Sequence, residues 1–226
     1  MLKKIKFIDI NDKFAQIAFV ICMAFIAQIF ISYSFWEPTN RQFPMVPIFE
    51  SIPLSLGQTG NTILFWAFIM GLITTAFLDG KKYAILLLFG IYFIWVLQDV
   101  MRVQAWAYHY LLMLALIWYY QVNKNYKREI IFLLQFIMIM TYFWTGFHKV
   151  NVHFAEVVFP WLMSIFPVFE QWGDISALGY ATAVFELLLG LGLLWNRTRK
   201  ITVLLILLFH SIILILLIAD GWNKIS

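Results

Sequence analysis

The chain is poor in nearly everything a water-soluble domain relies on. Only 12% of its 226 residues are charged and 63% are apolar, whereas soluble domains run near a quarter and a half. A soluble globular class is thereby excluded, and an integral membrane protein remains. There is one cysteine, Cys22, inside an apolar run. It excludes an intrachain disulfide and any cysteine-built metal or redox centre within one chain. No GxSxG turn and no P-loop occurs, and Gly190 and Gly192 lie within an apolar segment, where they suit helix packing. His148, His153 and Glu156 lack the same-face spacing of an HExxH zinc motif, so no metal is expected. The net charge of +4 is too small to suggest a nucleic-acid partner and reads as a topology signal.

What is present in quantity is long apolar sequence. Segments able to cross a hydrocarbon core of roughly 30 Å fall at 14–34, 61–78, 83–101, 105–120, 129–147, 177–195 and 201–219. None alternates with period two, and backbone groups in lipid must be satisfied locally, so these are helices rather than barrel strands. The expectation is an all-α, polytopic helical bundle of about seven transmembrane helices, forming a single domain over 1–226. The apolar run after MLKKIKFIDINDK has no small-residue cleavage site, so it reads as a retained first span.

Lys and Arg counts in alternate connections give the orientation. Lys3, Lys4, Lys6, Lys13, Lys81, Lys82, Lys124, Lys127, Arg128, Arg197, Arg199 and Lys200 fall on one side; only Arg41, Arg102, Lys149 and Lys224 fall on the other. The N-terminus is therefore expected in the cytoplasm and the C-terminus outside. This leaves two long outer loops, 35–60 and 148–176, both apolar and aromatic. Four of the six prolines lie in the first, which reads as a plug or lid over the outer mouth. The second is expected to contain a short helix lying in the interface plane.

Polar groups gather at the outer ends of the spans. The tight turn in QDVMRVQAWAYHY confines Asp99, Arg102, Gln104, Trp106 and His109 to a small volume, and Asp99 and Arg102 are spaced to pair on a helical turn. On the fifth span Met138, Tyr142, Thr145 and Lys149 share one helical face, with Gly146 beside it allowing close approach. Lys149 and its neighbour His148 end this face at the membrane edge; at the centre of a span such a charge would cost roughly 2.5–3.5 kcal/mol on insertion scales. The plainer role for Lys149 is to snorkel and anchor the helix. Glu186 and His210 fall near the middles of the last two spans. Ionisable groups at that depth face the bundle interior and pair, so a Glu186–His210 hydrogen bond is expected.

The run YFWTGFHKVNVHF, residues 142–154, resembles the YFxAGxKKLdxxW segment of the vitamin K-dependent gamma-carboxylase and the wider HTTM (horizontally transferred transmembrane) group. Lys149 falls on the second lysine, and His148 replaces the first. The Phe209-His210 pair resembles an FH pair of a late span in that group. FELLLGLGLLWNRTR is similar to a segment of DoxX-like and MauE-like redox-associated membrane proteins. The similarity covers roughly 83–219. The carboxylase's large lumenal domain has no counterpart in these residues, so glutamate carboxylation is not expected.

Two functions stay open. The resemblance implies a quinone or other isoprenoid-tailed ligand as cofactor or substrate. Lys149 and His109 would then be the catalytic residues, and Asp99, Arg102, Gln104, Trp106, Tyr142, Thr145 and His148 would line the ligand. Lys149 could stabilise a developing anion, or act as a base when neutral. The alternative is a non-catalytic membrane subunit docking a protein partner of an envelope or export complex through its aromatic outer loops. Either function places the chain in the lipid bilayer, with a bacterial inner (cytoplasmic) membrane as the expected location.

Overall fold

A computed structural model describes residues 12–36, 46–49, 56–78, 82–164, 166, 169 and 171–219, with backbone alone at 34 and 216–219. Most of the expected first outer loop, and the N-terminal basic run, lie outside the described residues. Those described form an all-helical chain with no strand.

Helix α1 (Lys13–Ile31) starts where the Asp12 carboxylate accepts a hydrogen bond from Phe14 N at 3.0 Å, an ordinary N-cap. Phe14, Ala18, Ile21, Cys22, Phe25 and Ile29 form its buried stripe, yet Val20, Met23, Phe30 and Ile31 on other faces are apolar and exposed. A helix apolar all round is buried or sits in lipid. After the short α2 (Tyr33–Trp36) come α3 (Gly57–Phe77), α4 (Lys82–Gln98) and α5 (Ala105–Val122). Helix α6 (Lys127–Lys149) follows, then a π-helical stretch (Phe154–Val158), α7 (Phe159–Met163), α8 (Ser176–Gly192) and α9 (Asn196–Ala219). Each of the seven apolar segments thus appears as a helix.

Four helical stretches are long and apolar enough to cross a membrane: Lys13–Ile31, Gly57–Phe77, Lys124–Lys149 and Asn196–Ile215. Helices α4 and α8 have 17 residues each, about 25 Å at 1.5 Å per residue, a little short of the hydrocarbon core. In α5 the polar groups of Tyr108, His109, Tyr110, Tyr119, Tyr120 and Gln121 hold the hydropathy down.

The chain divides into two compact units, 1–134 and 135–226. The boundary lies inside α6, so no linker or composition shift marks it in the sequence. In the first unit α1 packs on α3 and α5, and α4 packs on the same two helices. Their centre is aromatic: Phe68 meets Trp95 at 5.0 Å, Phe25 meets Phe68 at 5.4 Å, and Trp36 meets Trp95 at 5.5 Å. In the second unit α8 packs on α7, the π-helical stretch and α9. Ile139, Leu189, Leu193 and Ile206 form its core, with Tyr142 and Phe209 against it.

Candidate functional site

The site is built where α6 ends. Lys149 is the last residue of α6, and Asn151 then makes two bonds that turn the chain. Its Nδ2 donates to the His148 carbonyl at 2.5 Å, and its Oδ1 accepts from Phe154 N at 2.8 Å. One side chain therefore satisfies an orphan carbonyl of the outgoing helix and an orphan N–H of the next. Pro160 has no N–H to give, so an unbroken i→i−4 ladder cannot run through this region. The helix opens into a π-turn before it, with Phe159 N donating to Phe154 O. This brings His153, Phe154 and Val158 back beside Thr141, Trp144, Thr145, His148, Lys149 and Asn151, and together they line a cleft of about 510 Å³. The short helix expected within 148–176 is thus present, starting beyond the Asn151 turn.

Helices α6 and α8 cross closely and antiparallel. A Cβ at Gly146 would lie 2.7 Å from Leu187 Cα, and one at Gly190 would lie 2.5 Å from Phe143 N. Both glycines are therefore needed for the backbones to approach, as at small-residue crossings of membrane helices. One turn beyond Gly146 the Lys149 ammonium reaches Glu186 Oε2 at 2.5 Å. The glutamate side chain is 3% exposed and the lysine 33% exposed, so the acid is sealed between helices and the base stands at the cleft. Lys149 Nζ also sits 5.7 Å from the centre of the Phe154 ring.

This overturns the expected Glu186–His210 pair. Glu186 lies ten residues into α8, whose start at Ser176 is therefore roughly 15 Å further along the axis. With that stagger the end of α6 falls at the level of Glu186, and Lys149 supplies the stronger partner. His210 instead turns Nδ1 to the Ile206 carbonyl of its own helix at 3.1 Å and sets its ring edge-on to Tyr142 at 5.4 Å.

The proposed ligand residues separate between the two units. Tyr142, Thr145, His148 and Lys149 belong to the second. Thr145 lines the cleft, but its hydroxyl donates back to the Thr141 carbonyl at 2.6 Å and is not free to donate to a ligand. His148 is exposed at the cleft, with its ring 5.8 Å from that of Trp144. Trp144, His153 and Phe154 were missed as site residues. The aromatic spacing on α6 and the Asn-x-x-Phe turn signal that follows it carried that information.

Asp99, Arg102, Gln104, Trp106 and His109 belong to the first unit, where most serve the core. Asp99 caps the turn Val100–Arg102, accepting from Met101 N at 3.2 Å, and pairs with Arg102 at 3.7 Å. Both side chains are fully buried. Arg102 further donates to Asn61 Oδ1 at 3.4 Å and to the Trp36 carbonyl at 3.5 Å, and its guanidinium lies 5.4 Å from the Trp95 ring. Tyr92 Oη donates to the Arg102 carbonyl at 2.8 Å. These contacts make the pair a clamp, not a ligand contact. Gln104 locks the same turn by donating to the Met101 carbonyl at 2.6 Å. Trp106 packs edge-on against Phe25 and Trp36, and His109 is half-buried beside Tyr110. Among the described residues no group of three or more His, Cys, Asp or Glu could hold a metal.

No family model, no curated protein and no solved structure matches this chain.

Proposed function

We propose that the chain is a polytopic integral membrane protein that binds a quinone or similar isoprenoid-tailed ligand in the cleft at Lys149. The observation that carries this reading is the Lys149–Glu186 pair at the wall of a cleft of about 510 Å³ flanked by the Trp144 and Phe154 rings. Flat rings suit a flat head group, and the ammonium supplies N–H donors for a carbonyl or phenolic oxygen. A quinone would bring the redox chemistry. The protein's part is to orient the head group and handle a proton at Nζ. Before Lys149 can take a proton from a ligand it must lose one, and Glu186 Oε2 is placed to receive it. The resemblance to the HTTM group at 142–154 supports the same assignment. The seven-crossing topology, with the N-terminus in the cytoplasm of a bacterial cell and the cleft outside, rests on the basic-residue asymmetry.

The test is ligand content. The protein is purified in native lipid discs, its extract is analysed for isoprenoid quinones by mass spectrometry, and Lys149→Met is compared with it. A quinone enriched over bulk lipid, and lost in a Lys149→Met protein that still folds, is the expected result. Equal content in both would sink the reading.

A second reading has its own observation. Trp144, Trp161, Phe166 and Trp172 are 50%, 42%, 40% and 59% exposed, which would suit a non-catalytic subunit docking a protein partner. In that case Lys149→Met leaves assembly intact, while Trp161→Ala with Trp172→Ala weakens it in a native-gel assay.

A further inference from the structure

The cleft contains a lysine, which by itself would favour an anionic ligand. The geometry points the other way, and we propose that Glu186 makes this cleft selective for an uncharged, hydrogen-bond-accepting head group over an anionic one of the same shape. The inference rests on the quinone-type reading above and specifies the class of head group the site takes.

Three observations carry it. First, the Lys149 ammonium is neutralised on its inner side by a carboxylate at 2.5 Å, and an ion pair at that range presents a dipole to the cleft rather than a net positive charge. Second, Glu186 is 3% exposed, so water does little to screen the compensation. The glycine crossing also brings its helix backbone close to that of α6. Third, the ends of two helices meet at Asn151, which bonds the His148 carbonyl of one and the Phe154 N–H of the other. The C-terminal end of one helix thus meets the N-terminal end of the next, and their opposite end charges offset. What the lysine still offers is N–H hydrogens not used by Glu186. A neutral carbonyl oxygen can accept these without having to overcome the repulsion of the carboxylate behind them.

The experiment uses the full chain in detergent and two probes of one shape. Menadione is an uncharged naphthoquinone; lawsone is a naphthoquinone whose acidic hydroxyl is ionised at neutral pH. Dissociation constants are measured by titration calorimetry at neutral pH. The native protein is expected to bind menadione at least about tenfold more tightly than lawsone. Glu186→Gln keeps the shape and removes the charge, and the preference should move towards lawsone by at least about tenfold. Glu186→Asp should keep the native order. Native protein binding lawsone as tightly as menadione overturns the selectivity while leaving a quinone-type site standing. An unchanged ratio in well-folded Glu186→Gln overturns the role of Glu186. Binding of neither probe to native protein removes the quinone-type reading and this inference with it.

Discussion

Asp99–Arg102 and Lys149–Glu186 are both acid–base pairs among apolar helices, and they have been put to different uses. The first is sealed: neither side chain has measurable exposure, and the guanidinium also bonds Asn61 and the Trp36 carbonyl and lies against Trp95. The second is half open, with its base 33% exposed on a cleft. An Arg has five donors in a fixed fork and can satisfy several partners at once; a Lys is a compact charge on a flexible stem. The residue types match the roles. A planar cation is used to tie three segments together, and a movable one is used where something could bind.

The sharpest way to break this contrast is to remove the cation from each pair. Arg102→Leu strands the Asp99 carboxylate in a dry aromatic core and should cost about 3–5 kcal/mol, the usual penalty for an uncompensated buried charge. Lys149→Met strands Glu186 in its turn, but the vacated place opens on the cleft and water can reach it, so the cost should be smaller, about 1–3 kcal/mol. Thermal unfolding of the two variants in one detergent gives the comparison. Equal losses would mean that the exposure difference has no energetic meaning.

The next largest effect is expected at the helix crossing that sets the second pair. Gly190→Ala puts a methyl 2.5 Å from Phe143 N, backbone that cannot rotate away, so overpacking should cost about 1–3 kcal/mol. It should also push Glu186 off Lys149 and, under the proposed function, weaken ligand retention. Gly90, in α4, meets nothing within 4 Å, and Gly90→Ala serves as the control with little or no loss. Equal unfolding temperatures for the two variants would contradict the close crossing.

These two regions also differ in how much the sequence disclosed. The helical class and each apolar helix followed from hydropathy, because a helix in lipid is a local solution to backbone hydrogen bonding. Asp99–Arg102 was equally legible, since the two are three residues apart on one turn. Lys149–Glu186 was not, although Lys149 and Gly146 were both singled out. Its partners are 37 residues apart, and which residues meet depends on the stagger of α6 against α8. That stagger is set by paired glycines and by the helical segment inserted after Asn151. Equating mid-span positions put Glu186 opposite His210, whereas the α8 residues that precede Glu186 place it level with the end of α6.

A smaller effect is expected at the turn that shapes the cleft. Asn151→Ala loses both the cap on Phe154 N and the bond to the His148 carbonyl, and caps of this kind are worth about 1 kcal/mol. Asn151→Asp keeps the acceptor for Phe154 N but loses the donor, and should fall between the two. Hydrogen exchange of the Phe154 amide reports the cap directly; unchanged protection in Asn151→Ala would remove Asn151 from its assigned role.

The smallest effect completes the series from sealed to open acids. Asp174 is exposed, and its carboxylate accepts from Ser176 N at 2.8 Å at the start of α8. That hydrogen bond favours the ionised form and holds the carboxyl below its ordinary value of 3.8. Because the folded value is the lower one, its contribution is complete above the ordinary value and disappears as the pH falls from there through the folded value. The first turn of α8 should therefore loosen only in that acidic window. Protection of the Ser176 amide against exchange should drop there in the native protein. In Asp174→Asn, which keeps an acceptor oxygen but has no carboxyl to titrate, protection should show no such step. Since the group is in water, the step should be slight beside the losses at Arg102 and Gly190. A step of the same size in Asp174→Asn would show that another group governs this end of α8.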